Sequence, residues 1–187
     1  MGLFGRATEL EKGKQISLNL HEGEFELEGQ KFTFPSELAE LKKILGEPRT
    51  EPIEYTDLVR RGLCEDYGFN MEDFRPSRFY WDEYGIVASS YDQMLIHDIV
   101  IFFGKSKFPL PTTKCSFFGD IMLDGRPWQQ IVLDKSFSGS YPFDSSSVHF
   151  SIYGNKTKEF NVKVMEWSLK SQAKEELKLR IRQNNGK

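Results

Sequence analysis

The sequence predicts an α+β fold: a twisted antiparallel sheet built from two hairpin-based pseudo-repeats, with one helix packed on it and a second, peripheral helix at the C-terminus. Three observations predict it. Two runs rich in aromatic and β-branched residues, Phe79–Ser89 and Leu95–Phe103, flank a turn signal at Ser90 to Gln93, and such side chains suit a pleated, half-buried surface. The segment GEFELEGQKF (Gly23–Phe32) recurs without a gap as GDIMLDGRPW (Gly119–Trp128), which marks an internal repeat. Between them, Ser36–Leu45 carries the start, stop and periodicity of a helix.

In chain order, residues 1–14 read as a frayed arm and Ile16–Asn19 as a short strand. In Gly23–Phe34, Phe25 and Leu27 alternate with Glu24, Glu26 and Glu28, and Glu28-Gly29 supplies a hairpin turn. Ser36 is placed to cap a helix with Glu37 at the positive end of its dipole. Leu38, Leu41, Ile44 and Leu45 fall on one face, Gly46 ends the helix, and Pro48 prevents its return. Glu47–Pro76 reads as an irregular insertion with a short helix at Asp57–Gly62. After the central hairpin come a Pro-punctuated linker, Lys105–Lys114, and the second hairpin. No capped helix is expected after that hairpin; Ile131–Leu133 and a Ser/Gly/aromatic loop, Ser136–Ser147, stand in its place. A strand pair over Val148–Trp167, turning at Gly154 to Lys156, corresponds to Phe79–Phe103. Leu169–Gln183 closes the chain as a helix whose Leu169, Ala173, Leu177 and Ile181 make a narrow stripe. Such a helix lies loosely on the surface or finds a partner. The whole reads as one domain with halves at about 15–104 and 115–168.

A chain of 187 residues with 39% hydrophobic and 28% charged residues can bury its own core without disulfides or metal. The net charge of −3 argues against nucleic acid as a partner. Cys64 and Cys115 lack metal-type spacing, and a reduced compartment is the simplest reading. The first residues lack the apolar segment of a signal peptide, and no run has the length of a membrane span. A cytoplasmic protein is expected, with no membrane partner.

Residues with chemical potential are scattered. His21, His97 and His149 are far apart in sequence, and His97 and Asp98, as strand neighbours, are expected on opposite faces. Asp82 and Glu83 face apart for the same reason, with Asp82 starting a turn or facing water. Gly-rich phosphate loops and a nucleophile-elbow serine are both missing. The expectation is a protein without catalytic residues, metal or cofactor.

The insertion is the most distinctive stretch. From Glu47 to Glu83, ten acidic residues stand against five arginines, a local charge of about −5. Acidic and aromatic residues alternate at Asp57, Glu65, Asp66, Tyr67, Phe69, Glu72 and Asp73. These seven are the candidate partner-binding residues, the carboxylates steering a basic protein and Tyr67 or Phe69 anchoring it. The bland reading is a solvated loop with its aromatics tucked under.

The order FPSEL (Phe34–Leu38), LGEP (Leu45–Pro48) and YWDEYGI (Tyr80–Ile86) resembles a family of small uncharacterised bacterial cytoplasmic proteins sharing an FP…LGxP…YxWDxxGI pattern and a later G-x-I-x-L-D-G strand. The likeness covers about Gly23 to Trp128. In shape, the helix–LGxP–hairpin unit is also similar to the repeat of β-lactamase-inhibitor-like and outer-membrane-assembly lipoprotein folds. The resemblance implies a sheet-forming interaction protein, by class analogy an immunity protein that inhibits a bacterial toxin through direct binding. The alternatives are a small-molecule-binding domain or enzyme using a concave sheet face, and a structural subunit that dimerises through a sheet edge or the last helix.

Overall fold

The protein is described by a computed structural model covering residues 13–19, 24–32, 35–102, 113–133, 140–144, 148–156, 160–169 and 174–185. The arm before residue 13, His21, most of the 105–114 linker, and residues 136–139 and 145–147 of the stretch expected as a loop lie outside the described residues; Ser140–Asp144 of that stretch is a strand, not a loop.

The two repeated segments fold alike. β2 (Glu24–Leu27) and β3 (Gln30–Phe32) form one hairpin, β9 (Asp120–Leu123) and β10 (Arg126–Pro127) the other. Both turn through two residues of positive φ, Glu28 and Gly29 at 53° and 80°, Asp124 and Gly125 at 48° and 74°. That is the backbone a two-residue hairpin of matching twist requires, and it explains the shared acid-glycine pair. Matched positions are also buried alike: Phe25 with Ile121, and Leu27 with Leu123. The hairpins flank β1 (Gln15–Asn19) in a five-stranded sheet of order β10-β9-β1-β2-β3. β2 runs antiparallel to β1, and β9 parallel. The parallel pair departs from the expected all-hairpin connectivity, because β9 reaches β1 from far along the chain.

The remaining strands form a second, larger sheet of order β11-β12-β13-β8-β7-β6-β5. Its members are β5 (Arg49–Pro52), β6 (Ser77–Trp81), β7 (Ile86–Ser90), β8 (Leu95–Phe102), β11 (Ser140–Asp144), β12 (Val148–Lys156) and β13 (Phe160–Leu169), with β4 (Ser36–Glu37) added beside β8. The α+β class holds, with the strands divided between two sheets. Phe79–Ser89 is two strands rather than one: Asp82–Gly85 turns the chain between β6 and β7, and the Tyr84 amide donates to the Trp81 carbonyl at 3.0 Å. Gly85 sits at φ +68°, and a Cβ there would lie 2.3 Å from the Phe117 nitrogen, so only glycine fits.

Four helices are found among the described residues. α1 (Leu38–Leu45) starts later than expected. Ser36 is taken into β4 opposite Ile96, and no side chain caps the helix. The Leu38 amide donates to the Met94 carbonyl at 2.8 Å. α2 (Asp57–Tyr67) is longer than the short helix expected. It runs through Gly62 and ends at Gly68, left-handed at φ +76°, whose amide donates to the Cys64 carbonyl. α3 (Trp128–Leu133) follows the second hairpin directly, so that half keeps a shortened helix. α4 (Lys174–Asn185) starts after the expected Leu169, which belongs to β13. It docks beside α2 and β8, burying Leu177 and Ile181.

Each half therefore reads hairpin, helix, three-stranded meander: β2-β3, α1 and β6-β7-β8 in the first, β9-β10, α3 and β11-β12-β13 in the second. The meanders meet where β8 and β13 pair antiparallel. Residues 46–76, carrying β5 and α2, link helix to meander in the first half, where the second has only 134–139. One core cluster spans Ile16, Phe25 and Leu123 of the smaller sheet, Trp81, Ile96 and Ile101 of the larger, and Leu41, Tyr67 and Leu177 of the helices.

Candidate functional site

α2 and the turn after it hold all seven predicted partner-binding residues, and the structure sorts them by side. Asp57, Glu65, Asp66, Glu72 and Asp73 are exposed. Tyr67 and Phe69 are 4% and 7% exposed and belong to the core cluster. The two aromatics are thus corrected from surface anchors to core. Helical spacing brings Tyr67 onto the inward side with Cys64, and the Phe69 amide, donating to the Cys64 carbonyl at 3.0 Å, folds the chain back beneath the helix end.

Under this surface lies an aromatic stack. Tyr91 packs on Tyr67 at 4.9 Å between ring centroids, on Phe74 at 5.8 Å and on His97 at 4.1 Å. Phe69 reaches Phe74 at 5.6 Å. Burial pushes the Tyr91 phenol far above its ordinary range, and Tyr55 moves the same way for the same reason, so both remain neutral. Arg60 ties α2 to the following turn, its Nη2 donating to the carbonyls of Met71 at 2.9 Å and Phe74 at 3.2 Å.

The surface holds apolar residues that the sequence reading passed over. Leu58, Val59 and Met71 are 82%, 45% and 41% exposed, three of the six large hydrophobics exposed among the described residues. A signal was present: Leu58 and Val59 lie off the inward stripe of Leu63, Cys64 and Tyr67. Reading Gly62 as the helix end hid that stripe.

Residues 17–138 match the family described as Domain of unknown function (DUF7738). The chain is a member of the DUF7738 family. No curated protein and no solved structure matches the chain. The DUF7738 region contains both hairpins, α1 to α3 and the whole acidic surface, whereas β11 to β13 and α4 follow it.

The LGEP and YWDEYG segments of this DUF7738 chain converge on a cleft of about 480 Å3 lined by Gly46, Arg49, Trp81, Asp82, Tyr84 and Cys115, among others. Its polar groups are largely spent on one another. The Trp81 indole donates to the Gly46 carbonyl at 2.8 Å, tying β6 to the end of α1. Arg49 donates through Nε and Nη2 to the two Asp82 oxygens at 2.7 and 3.0 Å, pairs with Glu51, and lies 4.1 Å from the Tyr80 ring centre. The Lys114 amide adds a bond to Asp82 at 3.0 Å. Arg49 holds the Asp82 carboxyl below its usual range against the opposing effect of desolvation. This geometry fastens the edge strand β5, the β6–β7 turn and the segment entering the second half.

His97 and Asp98 differ from the expected simple alternation. Asp98 pairs with Ser89 but Ile96 with Ser90, so His97 is the extra residue of a bulge in β8. His97 stacks on Tyr91 at 4.1 Å between ring centroids. His149 lies on β12, far along the chain. Among the described residues no group of three or more His, Cys, Asp or Glu converges as a metal site would require. No helix among them is long and apolar enough to cross a membrane.

Proposed function

We propose that this protein is a non-enzymatic binding module that engages a basic protein through the exposed face of α2 and the turn after it. By the class analogy drawn from its sequence, it serves as an immunity-type inhibitor of a bacterial toxin. One observation carries the reading: five exposed carboxylates interleave with Leu58, Val59 and Met71, also exposed. Single exposed apolar side chains are ordinary, but apolar side chains grouped on one face among charges suit a protein interface. The carboxylates would steer encounter, and the apolar side chains would slow escape.

The test uses a partner captured from the native host with this chain as bait, then purified. Reversing Asp57, Glu65, Asp66 and Asp73 together to Lys should slow association about ten-fold or more at low salt, with the fold intact. Leu58→Ala should instead speed dissociation and leave stability within about 0.5 kcal/mol of the parent. Unchanged association of the reversed variant at low salt reduces the surface to a solvated face.

A further inference from the structure

The proposed surface has a centre that the fold itself does not explain. Gly62 lies inside α2, five residues from each end. Glycine in a helix interior is destabilising relative to alanine, so its presence calls for a reason. The usual reasons fail here. Gly62 is not among the glycines of positive φ, and a Cβ built on it meets nothing within 4 Å among the described residues. Neither turn geometry nor close approach by another described residue demands it. Its helical neighbours at three and four residues are Leu58, Val59, Glu65 and Asp66, all exposed. The bare backbone is therefore a notch in the middle of an apolar and acidic helix face.

We propose that Gly62 is the seat of the partner contact, and that its occupant is a basic amphipathic helix of the partner, packed across α2 at the notch. This rests on the reading of the α2 face as a binding surface. The distance between packed helices depends on the side chains at the crossing point, so a glycine there lets the incoming helix approach until its apolar side chains reach Leu58 and Val59. Its cations then meet Asp57, Glu65 and Asp66, and the same three carboxylates disfavour an acidic helix in that place. A small ligand has no such need of a long, shallow, charged face, whereas a helix laid in a groove uses it along its length.

The probe is a synthetic lysine–leucine peptide about four turns long with leucines on one face, titrated against the full chain at low salt. The peptide should bind the parent, Gly62→Ala should weaken it measurably, and Gly62→Leu by ten-fold or more. Both variants should melt at or above the parent temperature, Gly62→Ala about 2–4 °C higher. Failure of the peptide to bind the parent overturns the helical occupant. Parent-like affinity in both glycine variants overturns the notch, and the four-fold charge reversal then separates the two ideas: if it abolishes binding, the surface reading survives alone, and if it leaves binding intact, both fall. A lowered melting temperature in Gly62→Ala also counts against the proposal, since it would mean that the fold needs this glycine.

Discussion

Asp82 shows how much one side chain can fasten. It accepts from Arg49 twice and from the Lys114 amide, while its own carbonyl accepts from Cys115 at 3.1 Å. Its side chain is 13% exposed, so these bonds are partly shielded from water. Because its folded pKa is depressed, its contribution is present above the unfolded carboxylate value of about 4 and disappears as pH falls through the folded value. Asp82→Asn should destabilise the protein by roughly 1–3 kcal/mol at neutral pH and flatten the part of the stability–pH curve below about pH 4. Denaturant unfolding across pH checks both, and an Asn variant with parental stability and parental acid sensitivity contradicts the role. The sequence left Asp82 either starting a turn or facing water, and its partner was not legible at all: Arg49 stands 33 positions away, and no local pattern joins them. Tyr67 and Phe69 were misread for the converse reason. Acidic neighbours made them look exposed, while their sides of the helix and turn put them under it.

At the scale of elements, legibility followed the strength of local chemistry. The matched hairpins could be read because an acid-glycine pair between alternating apolar residues has essentially one use in a two-residue turn. The stripe of α1 was equally plain, and Leu41 lies 0% exposed on it. Leu41→Ala should cost about 2–5 kcal/mol in denaturant unfolding; a loss below about 1 kcal/mol would mean that α1 does not hold the core as described. Several elements escaped. β5 (RTEP) is an edge strand without an apolar alternation. β6 and β7 fused into one reading because Tyr84 sits within their turn and keeps the run aromatic. Ser36 read as a cap because serine favours that position, but sheet pairing with Ile96 took its backbone instead.

At the scale of the whole molecule, two halves of one plan share a core, and the first carries an insertion that the second lacks. That insertion lies inside the DUF7738 region. It brings β5, fastened by Arg49 to Asp82, and α2, whose inner side joins the core through Cys64 and Tyr67 while its outer side offers carboxylates and exposed apolar residues. The sequence marked this stretch by its charge. It did not show that the charged surface is a helix face, because that depends on packing against Tyr91 and α4 from distant parts of the chain. The central claim is that this outer face meets the partner. Hydrogen-exchange footprinting of the full chain, free and saturated with the captured partner, tests it most directly. New protection should concentrate in Asp57–Asp73, with the cleft segments around Arg49 and Asp82 unchanged. Protection confined to those cleft segments or to the strands of the larger sheet, with α2 exchanging as in the free protein, would contradict it.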